Sequence, residues 1–422
     1  MRKNHLPGKK LGFLHCLCTA TIVFSSCEKI HYCMDESEST TQGKGLPLNP
    51  YIVMSPEHLD DVRNNLSAHY KLGQNIDLTN YLSKGGAGYA KWGMSGWEPI
   101  GEVFTGNFDG AGHLITGLWI NRPSSSKIGL FASISGGSIQ NLGVEMTHTG
   151  IFGGLEHIGG LAGSVTNDGE ITNCYTIGPV SGNKFVGGLV GWVKGGSITS
   201  CYSICYVSGH QFVGGLAGWV GHSSINNCFT DGTVDATELI AGGMAGSVYE
   251  GGNIANCYTT VAVSSCGTAG GLAGWVYGDI SNCYAKGAVT GIDDAVGGVA
   301  GRVESLIIID DQGKRKIYGS VTNCVALNPV IENTYSQYAG VGRITGYCLG
   351  KLSNNWAYSD MTVTENGISK NLCSGKDKTD GMDCAAIPAA GWWTSPSLIG
   401  PGWCNTIWSV NSNQHPALRW QK

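Results

Sequence analysis

The sequence predicts an all-β chain wound into a parallel β-helix, a solenoid of about eight 27-residue rungs with end caps. Three observations carry that prediction. A unit recurs every 27 or 28 residues, its glycine density is wrong for helices, and one asparagine per unit interrupts an otherwise regular alternation.

Units align on a Gly-Gly pair beginning at Gly159, Gly187, Gly214, Gly242, Gly270 and Gly297. A cysteine recurs in the second half of the units, at Cys174, Cys201, Cys228, Cys257, Cys283 and, after the swollen unit, Cys324. Weaker units over 128–144 and 339–357 bring the count to eight. A unit this short cannot bury a core by itself, so neighbours must stack. Each glycine in a helix would cost about 0.5–1 kcal/mol against alanine, whereas Val, Ile, Tyr and Trp favour pleated strands.

Side chains alternate across a strand, which orients each position. In GGLVGWV, Leu189 and Val193 stay apolar from unit to unit. The position of Trp192 also holds Ser164, Trp219, Ser247, Trp275 and Arg302, so it is expected to face water. In the second half Cys283, Ala285, Gly287 and Val289 point inward, and Tyr284, Lys286 and Ala288 outward. Ile280 must also point inward, yet it lies three residues before Cys283. An odd spacing requires a bend, and the residue there is Asn282, matched by Asn141, Asn173, Asn227, Asn256, Asn323 and Asn354. Asparagine tolerates left-handed backbone, and stacked amides can bond rung to rung.

The flanks read differently. Residues 1–27 resemble a signal peptide: a basic MRKNHLPGKK, then 14 apolar residues, short of the roughly 20 that span a bilayer. The stretch closes on Phe24-Ser25-Ser26-Cys27, which resembles a lipobox and makes Cys27 the expected acylation site; the alternative is a plain secretory signal. An acidic, polar tether fills 28–49. Residues 50–126 are assigned to an N-terminal cap and first turns, with Ser55 as N-cap of a short helix. The repeat region is 127–360, and 361–422 is assigned to a C-terminal capping segment, at the far end or along a side. The expected location is outside the cell, lipid-anchored at the outer membrane or cell surface of a Gram-negative bacterium, with membrane lipid as one partner. A formal charge of −5 provides no basic footprint, so nucleic acid is not an expected partner. Glycine reaches 66 of 422 residues without a Gly-X-Y period, which excludes collagen.

Four units read Gly-Leu-x-Gly: Gly160-Leu161-Ala162-Gly163, Gly188-Leu189-Val190-Gly191, Gly215-Leu216-Ala217-Gly218 and Gly271-Leu272-Ala273-Gly274, with Met244 and Val299 replacing leucine elsewhere. These resemble the GLUG-motif family, as do the lead-in FTGNFDGAGHLITGL (104–118) and the closing WSVNSNQHPALRW (408–420). The resemblance implies a right-handed parallel β-helix on secreted or surface-attached bacterial proteins with adhesin-like roles. The motif also occurs as a non-catalytic part of immunoglobulin A peptidases.

Two outward aromatic columns are candidate binding surfaces: Trp192, Trp219 and Trp275, and beside the asparagine corner Tyr175, Tyr202, Phe229, Tyr258 and Tyr284. Either can stack on sugar rings or dock a surface protein; mutual stacking along the coil is the structural alternative. A hairpin is expected where the unit between Val303 and Val321 swells, its turn carrying Asp310 and Asp311 as further binding candidates; a plain tolerated insertion is the alternative. A second excursion, SKGGAGYAKWGMSGW (83–97), is rich in glycine and aromatic residues. The in-register cysteines lack the spacing of a zinc site and read as a buried thiol column, while Cys373 and Cys384 are better placed for a disulfide. Asp109 in FDGAGH reads as a turn residue, and Asp293-Asp294 would point to opposite faces of a strand. No catalytic residue, metal or cofactor is assigned. The expected function is a non-catalytic, adhesin-like glycan- or protein-binding surface lipoprotein; a carbohydrate-active β-helix enzyme and a structural spacer are the alternatives.

Overall fold

The computed structural model describes residues 42–310, 313–335, 340–372, 374–375, 378–385, 388–395, 400–411 and 414–421. Segment 1–41, including Cys27, lies outside them, as do Asp311 and Cys373. Among the described residues no helix is long and apolar enough to cross a membrane.

The repeats form a parallel β-solenoid of about nine turns, close to the eight units counted in the sequence. One rung shows the plan. Strand β1 (Lys184–Gly187) leads through the Gly-Gly-Leu bend into β2 (Val190–Thr199), then around a corner into β3 (Tyr202–Gly209). Each pairs in parallel with its copy one rung on: Val186 with Val213, Trp192 with Trp219, Tyr202 with Phe229. The coil runs beyond the counted units at both ends: strands after 360 continue it, and strands at His69–Leu72 and Asn107–Asp109 stack ahead of the first recognisable unit. Before them a one-turn helix, Pro56–Asp60, is capped by Ser55, whose hydroxyl accepts from the His58 amide at 3.2 Å, and it buries Leu59.

The corner is where the alternation required it. Asn141, Asn173, Asn227, Asn256, Asn282, Asn323 and Asn354 all have φ between 52° and 55°. Ser200 fills the same corner at φ 54°, without an amide. Amide bonds run Asn173 to Asn141 (3.2 Å) and Asn141 to Asp109 (3.0 Å), and resume as Asn323 to Asn282 (3.3 Å) and Asn354 to Asn323 (2.6 Å). Between them the column breaks at Ser200, and Asn256 turns to Asn226 instead (2.9 Å). Asp109 therefore heads the column and also accepts from the Ala111 amide, a structural turn role. Replacing Asn282 by glycine should cost only about 1 kcal/mol, the lost amide bond, because glycine enters this backbone freely. Asn282→Val should cost about 2–3 kcal/mol, combining left-handed strain with a lost amide bond. Equal denaturant midpoints for the two variants would refute the corner argument.

Inside, Leu189, Val193, Ile198 and Cys201 are fully buried, as parity required. Thr176 and Thr230 also point inward, closing on the Gly188 and Gly243 carbonyls at 2.9 and 2.7 Å. The reasoning at the Trp192 column needs correction. Ser164 and Ser247 face outward yet are buried, because Ser247 is flanked in the ladder by Trp219 and Trp275, and Ser164 by Trp192.

The C-terminal region also departs from expectation. Residues assigned to a cap extend the coil first: Thr362–Glu365 pairs with Val330–Asn333, and Met382–Cys384 with Trp356–Tyr358. The chain beyond then packs along a side, with Trp393, Trp403, Trp408 and Leu418 in a second apolar cluster against Tyr284 and Val325. The expected hairpin is present, Ser305–Asp310 pairing antiparallel with Gly313–Tyr318; Asp310 ends its first strand.

Candidate functional site: an aromatic wall and a charged cleft

The two aromatic columns have different fates. Tyr175, Tyr202, Phe229, Tyr258 and Tyr284 stack almost face to face, with centroids 4.6, 4.7, 5.2 and 4.9 Å apart and planes within 9°. The C-terminal segment lies over much of this column. Trp420 sits 6.2 Å from Tyr202 and 5.9 Å from Phe229 and donates to the Asn227 carbonyl at 2.9 Å. Gln421 donates to the Tyr258 hydroxyl at 2.7 Å, and Tyr284 donates to the Pro416 carbonyl at 2.8 Å. Tyr284 is only 3% exposed. The column therefore shows the mutual stacking that was the alternative to a ligand, and Tyr202, Phe229, Tyr258 and most completely Tyr284 also hold down the C-terminal segment.

The tryptophan column is half-buried, as are Tyr175, Tyr202, Phe229 and Tyr258, but its ring contacts come from within the repeats. Trp192 and Trp219 lie 5.4 Å apart on adjacent rungs, and Trp219 continues to Tyr249 (5.6 Å) and Tyr277 (5.4 Å). A second file, at the bend before each Gly-Gly pair, consists of His157, Phe185 and Phe212. His157 stacks on Trp192 at 4.7 Å and 10°, Phe185 on Phe212 at 5.1 Å, and Phe212 meets Trp275 edge-on at 6.1 Å. All three have left-handed backbone, φ 62°, 55° and 56°. For such side chains that conformation costs about 1–2 kcal/mol each, and strain of this kind concentrates at functional positions. Burial pushes the His157 imidazole below its usual range against the opposing pull of Glu156, which favours the neutral ring in the stack. The sequence carried this file as the aromatic two residues before Gly-Gly in EHIGG, KFVGG and QFVGG. Parity alone did not bring it to the surface.

At the lower end Trp275 opens onto a cleft of about 300 Å³. Its indole N–H donates to the Thr268 hydroxyl (3.0 Å), which donates to Asp294 (2.6 Å). Arg302 grips Asp294 at 2.5 and 3.0 Å, reaches Glu304 at 3.1 Å, and lies over the Tyr347 ring. Burial raises the Asp294 carboxyl, but the bonds from Arg302 and Thr268 outweigh it and hold the group below its ordinary range. Asp293 and Asp294 do not diverge as strand neighbours would: they occupy a bend, and both line this cleft with Glu238.

The cysteine column is structural. Cys174, Cys201, Cys228 and Cys257 each donate a backbone N–H to the sulfur of the next rung's cysteine at 3.3–3.4 Å. Each thiol in turn approaches the carbonyl two residues back, as Cys228 does Asn226 at 3.2 Å. Burial pushes the Cys201, Cys257 and Cys324 thiols well up, whereas at Cys228 and Cys283 hydrogen bonds from the neighbouring cysteines outweigh it and hold the thiols down, so the column's protection rests on its complete burial. Cys384, a disulfide candidate in sequence, is a buried free thiol pushed by burial up to about 12. Alkylation of folded protein near pH 8 should therefore modify the exposed Cys266 and Cys404 and spare the column until unfolding, as read by peptide mass spectrometry. Modification of Cys228 at the rate of Cys266 would overturn this packing.

Known families can now be set beside this geometry. The family model described as the GLUG motif matches residues 154–180 and 265–290, two rungs of the coil. Those two rungs carry the GLUG motif. The other rungs carry the same Gly-Gly bend and register without matching the model. Among curated proteins, a Gly-rich membrane protein of Evansella cellulosilytica is 35% identical over 165 residues, 37% of this chain and 18% of its own length. Halomucin of Haloquadratum walsbyi is 34% identical over 160 residues, 35% of this chain and 2% of its own. The chain thus spans a small part of either relative. Two solved structures are similar at a TM-score of 0.44: an immunoglobulin A1 protease of Bacteroides ovatus (19% identity, 90% of this chain and 94% of that one) and an IgA1 protease (21%, 72% and 21%).

Proposed function

We propose that this GLUG-repeat protein is an exported, lipid-anchored, non-catalytic surface protein that holds glycan chains against its aromatic wall. The observation that carries the reading is selective covering. The C-terminal segment lies over Tyr202, Phe229, Tyr258 and Tyr284, while among the described residues none of its rings meets Trp192, Trp219 or Trp275, where three rungs hold strained aromatic positions. A pyranose offers an apolar C–H face and a hydroxyl edge. The wall supplies rings for the first, and Asp293, Glu238 and Arg302 supply bonding partners for the second. Asp294 is tied to Arg302 and stays ionised, which suits a positioning role better than proton donation. The names of the two relatives, a membrane protein and halomucin, are compatible with a place at the cell surface. Anchoring through Cys27 belongs to the same proposal; labelled palmitate should be incorporated and should be lost in Cys27→Ser.

Binding of purified protein to a glycan array tests the reading. Retention on a subset of glycans is expected, weakened at least about tenfold in Trp219→Ala, the loss typical of a central aromatic contact. Unchanged retention in that variant would remove the wall from the function. Release of reducing ends or unsaturated products from a retained polysaccharide would remove its non-catalytic part.

A further inference from the structure

Two departures from the repeat meet at a place the wall does not touch. The strand Gly143–Gly153 advances six residues, Glu145 to Ile151, while its neighbour advances three, Ile177 to Val180. The surplus bulges from the outer face of the sheet that also carries the tyrosines. Facing it are the short helices and turns of 79–96, the glycine- and aromatic-rich excursion of the sequence. Between them lies a cavity of about 590 Å³. Bulges of this kind recur beside binding sites, where they re-aim side chains.

Its lining has a consistent chemistry. Trp119, Ile120 and Phe152 supply apolar surface; Asn121, Thr147 and Thr149 are among its polar groups. Among the described residues no carboxylate, ammonium or guanidinium lines it, and the one titratable side chain there is His148. The Trp119 platform is rigid. Gly96, at φ 65°, lies so close that an added Cβ would fall 2.7 Å from the indole, and Trp97 donates its amide to the Trp119 carbonyl at 3.0 Å. Met94 (70%) and Phe152 (46%) stand exposed at the cavity, an apolar cost that an occupant would remove. A mostly apolar pocket with a few polar groups is the usual form of a small-ligand site.

We propose that this cavity binds one pyranose unit of an uncharged glycan, its C–H face on Trp119 and its hydroxyls toward Asn121 and the Thr147–Thr149 pair. The site lies on a different sheet from the tryptophan wall and does not depend on it. The test is saturation-transfer NMR and tryptophan fluorescence with the methyl glycosides of glucose, galactose, mannose and N-acetylglucosamine, against glucuronate and an octyl chain as charged and apolar probes. At least one neutral glycoside should bind. Measured in the Trp219→Ala background, which removes the wall's central ring, at least one neutral glycoside should still bind, and its affinity should fall at least about tenfold when Trp119→Ala is added. Asn121→Trp, an exposed substitution that fills the cavity without entering the core, should give the same loss if Trp119→Ala does not fold. The proposal is overturned if no neutral glycoside binds, if binding survives both cavity variants, or if glucuronate or the octyl probe binds as well.

Discussion

Gly191→Ala should lower the stability of the coil by about 3 kcal/mol or more, a large value for adding one methyl group. A Cβ there would stand 2.3 Å from the Ile158 amide nitrogen and 2.5 Å from the His157 carbonyl carbon, both backbone atoms that cannot swing aside. The same glycine one rung on, Gly218, meets the backbone of Phe185, and Gly246 that of Phe212. At Gly191, Gly218 and Gly246 the last glycine of the motif is thus the seat for the preceding rung's bend, where the aromatic file stands in left-handed backbone. Gly195→Ala is the control. Its backbone is also left-handed, at φ 70°, but a Cβ would meet nothing nearer than 3.7 Å, so only about 1–2 kcal/mol of conformational strain is expected. Thermal unfolding followed by circular dichroism compares the two. If Gly191→Ala is no worse than Gly195→Ala, the motif's glycine is not there for close approach.

Trp408→Ala should release the C-terminal segment while the coil stays folded. Trp408 is fully buried, 4.8 Å from Trp403 and 5.9 Å from Tyr284, and truncating such a residue costs about 3–5 kcal/mol. The cluster it anchors is separate from the main core. Trp393 and Trp408 also bury indole N–H groups with no acceptor among the described residues, which weakens the docking further. Because the segment is held by a small cluster, loss of one ring exceeds what the remainder can offset locally. Limited proteolysis should then cut between 388 and 421, and hydrogen exchange should rise there but not at Val190–Thr199. Cooperative loss of the whole coil would show that the segment is integral to it. An unchanged cleavage pattern would show that Trp408 does not anchor it.

How far the sequence could be read varied with the range of the contacts. The asparagine corner was visible because an odd spacing between two inward positions admits one remedy, and every asparagine so identified is left-handed. The thiol column was visible because stacking puts equal residues over one another. Ser200, in the same corner, was not: serine announces no backbone preference, and only its copies above and below show where it stands. The covering of the tyrosines was hidden for a different reason. Trp403 reaches the Asn323 carbonyl across 80 residues and Trp420 the Asn227 carbonyl across 193, from a segment with no period to extrapolate. The bend that brings Asp293 and Asp294 into one cleft was mistaken for strand, since two adjacent carboxylates carry no signal of their own.

By itself, then, the sequence determined the rung: its length, which side chains face the interior, where it turns, and that its copies lie in parallel register. Those properties follow from local steric rules and from the fact that a 27-residue unit has nothing but its own copies to bury against. Only the tertiary structure decided which outward surfaces are covered, because that depends on where non-repeating segments settle. The terminus takes the tyrosine column, and among the described residues none of its rings meets Trp192, Trp219 or Trp275. The bulge at 146–150 and the excursion at 79–96 close a cavity that neither encodes alone.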